Sequence, residues 1–398
     1  MTRTWLLPEY IEDILPAEAA RIEALRSRIL ELFRVHGYEL VMPPMLEYLE
    51  SLLTGTGHDL DLQTFKLVDQ LSGRTLGVRA DITPQVARID AHLLNRKGVT
   101  RLCYAGSVLR TLPDATNQTR EPLQIGAEVY GHARIESDIE VQRLMLRALT
   151  ASGVRQVHLD IGHVGVFRSV VSHGGVDASL ESELFRAVQS KNVPALEELT
   201  AGLRRETREA LVALPQLYGG AEVLARARRV LPRYPEIRAA LRDLAALSEQ
   251  LEDGAHIRCF DLAELRGYHY HTGVVFAAYS EGRPNALAQG GRYDEIGKAF
   301  GRARPATGFS MDLRALAAVG AAVEERVSVL APYAPSDTEL QRRIAALRAR
   351  GTPVIVGLPG HAGAKLETNC TRQLTKRAGK WTVETIAPAK TPRKRTRR

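Results

Sequence analysis

Long apolar runs are missing from this chain. No stretch approaches the roughly 20 apolar residues that a membrane-spanning helix needs. The first residues, MTRTWLLPEYIEDILP, turn acidic and proline-bearing too early for the apolar region of a signal peptide, so a cytoplasmic location is expected. Cysteine is scarce. The three present, Cys103, Cys259 and Cys370, lie far apart with neither CxxC nor nearby histidine spacing. That argues against a disulfide framework and against a zinc site, and no metal or cofactor is expected. No GxGxxG follows the first strand, which disfavours a dinucleotide fold. The glycine-rich AQGGRYD is too short for a P-loop and lacks its Lys-Ser/Thr, so it reads as a loop with a tight turn. There is no internal repeat.

What is present suits a globular protein of two or three domains: 398 residues, 44% hydrophobic and 25% charged. The formal net charge is +8, and much of it sits in the final PAKTPRKRTRR. That run predicts a disordered basic tail, as suited to solubility or partner binding as to RNA.

The most informative stretch runs from Arg101 to Gly131 and reads as a hairpin. In its second arm Leu123, Ile125, Ala127 and Val129 alternate with Gln124, Gly126, Glu128 and Tyr130, the period of a strand with an apolar side on a core. The other side offers a donor and acceptors around the open space at Gly126, a floor for a small ligand carrying N–H groups. A half-exposed strand with a polar outer face has the same pattern.

Around this hairpin the periodicities predict a helix over Ala17–His36 stopped by Gly37, and a strand YELVMPPMLEY broken by Pro43 and Pro44. A hairpin TFKLVD/RTLGVRAD follows, then a helix with Thr83 as N-cap and Pro84 as its first residue. A further helix is expected from Ser137, then a strand running into a helix at VHLDIGHVGVFRSVV. Residues 180–251 read as an inserted helical subdomain. Strands return at HIRCFDLAEL and RGYHYHTGVVFAAY, and PATGFSMDLRALAAVGAAV reads as strand into helix. A short C-terminal unit follows: VSVLAPY, a helix over Asp337–Arg350, PVIVGLP and WTVETI. Together these predict an α+β core over residues 1–325, a small α/β domain over 326–388 and a tail over 389–398.

Several of these stretches, in order, resemble a known set. GYELVMPPMLE is similar to class II aminoacyl-tRNA synthetase motif 1, with Pro44 in the place of its proline. GSVLR…EPLQIGAEVYG resembles motif 2. VRADITP, RGYHYHTGVVF and GGRYD resemble the LRPEGT, RGLDYYTGTVFE and GGRYD segments of histidyl-tRNA synthetase, and PATGFSMDLRAL resembles its motif 3. The resemblance spans about residues 8–320 and implies a class II synthetase-like antiparallel sheet flanked by helices.

The departures from that pattern lie on the ATP side. Leu112 and Pro113 stand where motif 2 has glutamate and arginine, and Pro122 where an aromatic residue stacks on adenine. Ala315 replaces the motif 3 arginine that holds the γ-phosphate, Asp312 adds a negative charge, and Arg314 is one position off, about 100° around a helix. On the amino-acid side the resemblance carries over Asp81 and Thr83, with Gln124 and Glu128 reading ammonium and imidazole. Arg110 and Arg266 face the carboxyl end, and Tyr270 is retained. His271 stands in place of a tyrosine and His269 in place of an aspartate.

A kept histidine pocket beside a dismantled ATP pocket resembles the regulatory subunits of short-form ATP phosphoribosyltransferase, non-catalytic paralogues of the synthetase. That resemblance implies assembly of homodimers with the catalytic subunit into a hetero-octamer, activation of that subunit and feedback inhibition by histidine. It implies no role for nucleic acid or membrane. Two other readings compete: a divergent aminoacyl-adenylate-forming enzyme, against which Ala315 speaks, and an RNA-binding synthetase relative, for which only the tail speaks.

Overall fold

The structure is a computed structural model that describes residues 6–54, 58–113, 119–251, 256–319, 328–360 and 370–386. The chain divides into two compact units, Met1–Ala321 and Ala322–Arg398.

In the first unit α1 (Pro16–Val35) buries Ile22, Leu25, Ile29 and Phe33, a stripe at helical spacing. Gly37 then turns the chain with φ +84°, where a side chain would be strained. The Pro43–Pro44 pair splits the expected single strand into β1 (Glu39–Leu40) and β2 (Leu46–Tyr48), which join different sheets. Neither proline can donate to a ladder, so the chain changes partner there. Two short helices follow, α2 (Leu49–Leu53) and α3 (His58–Gln63). The expected hairpin is β3 (Phe65–Val68) with β4 (Thr75–Val78), and β2 completes a three-stranded sheet in the order β2-β4-β3.

Next come α4 (Thr83–Arg88), which runs on into a turn of π-helix over Ile89–Leu94, then β5 (Thr100–Ser107) and β6 (Leu123–Tyr130). Thr83 is the first helical residue and not the cap. Its hydroxyl is engaged with Tyr104 and Glu128, while the Asp81 carboxylate takes up the Thr83 N–H at 3.0 Å. The far side of α4 is tied down as well: Gln85 donates to the Pro44 carbonyl at 2.8 Å and to Glu47 at 2.7 Å. Arg79, buried, donates to Ser107 O and Pro43 O, both at 2.8 Å, and so pins the proline pair to the end of β5.

The chain continues with α5 (Ile135–Ala151), two residues earlier than expected, β7 (Val157–His163) and α6 (Val164–Gly174). The insertion follows as α7 (Ala178–Gln189), α8 (Val193–Leu199), α9 (Arg205–Ala213), β8 (Tyr218–Gly219), α10 (Glu222–Val230) and α11 (Pro235–Gln250). It is helical as read, except that β8 returns to pair with β9 (His256–Asp261). The unit closes with β10 (Val274–Ser280), β11 (Ala288–Arg292), β12 (Ala306–Asp312) and α12 (Leu313–Val319).

A nine-stranded sheet in the order β1-β5-β6-β12-β11-β10-β7-β9-β8 organises all of this. Its pairs are antiparallel except β1·β5 and β7·β9. The Ile125, Ala127 and Val129 side of β6 packs in the main core with α1 and α5, where Phe33 meets Phe309 edge-on at 5.8 Å. One expectation fails in this sheet. AQGGR is the strand β11, and the turn comes after it. Gly290 and Gly291 serve close approach within the sheet: a Cβ on Gly290 would meet the Gly308 carbonyl of β12. Arg292 of the same motif forms a buried pair with Asp138 of α5 at 2.5 Å.

The second unit has β13 (Ser328–Ala331), α13 (Thr338–Ala349), β14 (Val354–Val356), β15 (Cys370–Arg377) and β16 (Lys380–Thr385), in the sheet order β14-β13-β15-β16. Asp337 caps α13 through Glu339 N and Leu340 N. Strand β15 was not expected from CTRQLTKR, whose polar residues hide an alternation that buries only Cys370 and Leu374. The tail expected over residues 389–398 lies outside the described residues.

Candidate functional site

The register of four strands builds the floor of a cavity of about 180 Å³. Glu128 of β6 lies opposite Leu102 of β5 on one side and Gly308 of β12 on the other, and Gly308 faces Gly291 of β11. A side chain at Gly308 would collide with the Glu128 carboxylate, so the glycine leaves that carboxyl its room. The opposite wall comes from residues 264–271, between β9 and β10, with Arg266, Gly267, Tyr270 and His271.

Glu128 is 1% exposed and held by three hydroxyls. Thr83 donates to Oε1 at 3.2 Å, Tyr104 donates to Oε1 at 3.1 Å, and Tyr293 donates to Oε2. Burial pushes its pKa up to about 8, and the negative charge of Asp81 adds to this, while the three hydroxyl donors oppose it. Glu128 thus carries a proton near neutral pH. Asp81 is fixed from two sides: Gln124 donates to its Oδ1 at 2.8 Å and the Thr83 N–H at 3.0 Å. The Gln124 amide oxygen in turn accepts from Ile82 N at 3.0 Å, so Gln124 is a positioning residue for this carboxylate.

On the facing wall, His271 Nδ1 lies 3.2 Å from the Arg266 carbonyl. A carbonyl only accepts, so Nδ1 carries the proton and Nε2 keeps a lone pair. Burial pulls the pKa of this ring down to about 4, which leaves it neutral at physiological pH. Arg266 is partly committed: its Nη2 donates to the Tyr279 hydroxyl at 2.8 Å and pairs with Glu264 at 3.3 Å. The Tyr270 hydroxyl is buried with no hydrogen-bond partner among the described residues, a cost a ligand can relieve.

Six of the eight residues expected in one pocket, Asp81, Thr83, Glu128, Arg266, Tyr270 and His271, line this cavity. Arg110 and Gln124 line a second cavity of about 830 Å³, which shares Gln289 and Ser310 with the first. His269 lines neither; its exposed ring packs near Phe185 and Tyr268. Sequence reasoning missed Tyr293, Tyr104 and Gln289. The strand alternation about Gly126 and the tyrosine of GGRYD were the available signals for them.

The larger cavity is where the departures gather. Ala315 and Pro122 line it, and Leu112 is solvent-exposed. Arg314 also lines it, but its guanidinium pairs with Glu12 at 2.8 Å and donates to the Glu121 carbonyl at 3.5 Å. Asp312 accepts from Leu123 N at 3.1 Å and Arg314 N at 3.0 Å, which holds a carboxylate against this cavity.

The histidyl-tRNA synthetase family model matches residues 10–316, and the model of the ATP phosphoribosyltransferase subunit HisZ C-terminal domain matches residues 326–384. An ATP phosphoribosyltransferase regulatory subunit of Cupriavidus taiwanensis is 59% identical over 96% of this chain and 99% of that relative. One of Ralstonia nicotianae is 60% identical over 96% and 98%. The chain belongs to the ATP phosphoribosyltransferase regulatory subunit family. Its fold is that of histidyl-tRNA synthetase. An ATP phosphoribosyltransferase regulatory subunit/histidyl-tRNA synthetase from Bacillus halodurans superposes with a TM-score of 0.81 at 29% identity, covering 92% of this chain and 96% of that one. A histidyl-tRNA synthetase from a Nostoc species gives 0.77 at 17% identity over 97% of each chain. Membership of this family makes the chain a non-catalytic subunit of a glycosyltransferase and agrees with the reading drawn from the departures on the ATP side. Among the described residues no helix is long and apolar enough to cross a membrane.

Proposed function

We propose that this chain assembles with and activates the catalytic subunit of a short-form ATP phosphoribosyltransferase, and that it senses free histidine in the cavity beneath Glu128. Glu128 accepts from the imidazole, Asp81 held by Gln124 receives the ammonium, and Arg266 faces the carboxylate. His271 Nε2 and the Tyr270 hydroxyl supply an acceptor and a donor at the wall. The observation that carries this reading is the contrast between the two cavities. The smaller keeps two fixed carboxyls in a buried setting, while in the larger the one motif 3 arginine is spent on Glu12 and Ala315 offers no charge.

Subunits pair, in this reading, through the face around Val41–Tyr48. Met42, Met45, Leu46 and Tyr48 stand exposed there beside a short sheet edge, a surface suited to an isologous contact and to assembly into a hetero-octamer. Calorimetric titration of histidine into wild type and Glu128→Ala tests the pocket. One lost charged hydrogen bond weakens binding by about 1.5–3 kcal/mol, roughly tenfold to a hundredfold. Unaltered affinity removes Glu128 from the site, and no heat with wild type moves the effector site to the catalytic partner. Histidine-dependent pyrophosphate exchange into ATP above a no-enzyme control would instead support the adenylate-forming reading.

A further inference from the structure

Between α10 and α11 the helical insertion holds a hollow of about 430 Å³ that takes no part in the site above. Its floor includes Leu231 and Ile237, both buried, and its rim carries Arg228, Arg233, Arg238 and Arg242, all exposed. No acidic residue lines it among the described residues. Some arginines of the insertion are engaged within it, as Arg205 is with Glu209 at 2.7 Å and Arg226 with the Gln216 and Tyr218 carbonyls at 3.0 and 3.2 Å; what sets this hollow apart is four guanidiniums gathered around one apolar floor. The four rim guanidiniums make no ion pair or side-chain hydrogen bond among the described residues. Asp243 feels the charge of Arg242, but its carboxylate lies 3.9 Å from His163, in a different cavity. Arg238 and Arg242 stand four residues apart on one helix, an arrangement of like charge that costs stability unless an anion joins it.

We propose that this hollow docks an acidic segment of the catalytic partner, with an apolar side chain seated on Leu231 and Ile237 and carboxylates bridged by the four guanidiniums. The inference rests on the regulatory-subunit reading. Charge complementarity selects an anionic occupant, since arginine forks bind carboxylates bidentately. The apolar floor selects a peptide over a free phosphate, which would have no use for it. A nucleic acid wants an aromatic face for stacking, and the ring nearest at hand, Tyr234, is already stacked on His173 at 4.1 Å.

The test is association of the full chain with the catalytic subunit, by sedimentation or calorimetry at two salt concentrations. Arg233→Glu/Arg238→Glu should weaken it by about a hundredfold or more and flatten its salt dependence, whereas Arg233→Lys/Arg238→Lys should stay within about tenfold of wild type. Circular dichroism and an unchanged histidine titration establish that the variants fold. Should the reversal fail to fold, Arg233→Gln/Arg238→Gln carries the same expectation at about tenfold. A reversal variant that associates like wild type overturns the inference and leaves the regulatory reading standing. So does loss of RNA binding, measured with bulk tRNA, alongside intact association. A wild type that never associates with the catalytic subunit overturns both.

Discussion

Replacing Glu128 by glutamine separates what this carboxyl does for the fold from what it does for a ligand. In the unfolded chain it ionises near 4.5, and inside the sheet only near 8, mainly because it is buried. The folded form therefore holds a proton that the unfolded form releases above about pH 4.5. This contribution to stability is fully present below pH 4.5 and is lost as pH rises through 8. At pH 7.5 the penalty is on the order of 3–4 kcal/mol at most, from about 1.4 kcal/mol for each pH unit above the ordinary value. Glutamine has the same shape and no charge. It keeps an acceptor for one of the hydroxyls of Thr83, Tyr104 and Tyr293, and the rearranged remainder returns about 1 kcal/mol of the gain. Urea unfolding should thus find Glu128→Gln within about 1 kcal/mol of wild type at pH 5 and about 2 kcal/mol more stable at pH 7.5, with histidine binding reduced. A variant less stable than wild type at pH 7.5 would refute the reasoning, because it would mean that the three hydroxyls hold an ionised carboxylate at no penalty.

Other outcomes follow from the same structure. Asp138→Ala leaves Arg292 buried without its carboxylate partner and should lower the unfolding free energy by about 3–5 kcal/mol, read by denaturant titration. Gly308→Ala places a methyl group where the Glu128 carboxyl sits; calorimetry should show histidine affinity falling at least tenfold, with a stability loss of about 1–3 kcal/mol. If the proposed pairing holds, wild type sediments as a dimer at micromolar concentration and Met42→Asp/Leu46→Asp as a monomer; a variant that dimerises like wild type removes this face from the contact. Ala315→Arg should not restore pyrophosphate exchange, because Arg314 stays locked on Glu12 and Asp312 still faces the cavity.

The elements of the first unit were legible wherever a hydrophobic period was long and uninterrupted: α1, β6 and the insertion helices announced themselves through a stripe or an alternation. Where backbone approach replaced side-chain pattern, the reading failed. AQGGR has no alternation because two of its residues are glycines that face a neighbouring strand, so a strand passed for a loop. CTRQLTKR lies in a small sheet with only two buried side chains, too few to set a period. Of the charged residues named through the family resemblance, Asp81, Glu128 and Arg266 gather around one cavity and Arg110 lines the other. The hydroxyls around Glu128 were not foreseen, since that of Tyr293 reaches it from 165 positions along the chain. Arg266 was expected as a cation for the ligand, and the structure gives it a local carboxylate as well.

Helix α4 is six residues long and is held at both flanks by side chains two positions apart. Thr83 faces the Glu128 hydroxyl cluster, and Gln85 grips Pro44 and Glu47. A short helix of this kind moves as one piece, so a shift at one flank passes to the other. A ligand that took over the hydrogen bonds around Glu128 would act on the same helix that holds the Pro43–Pro44 segment in place. Pocket and proline segment thus share one mechanical link, a helix anchored at Glu128 on one flank and at Pro44 and Glu47 on the other.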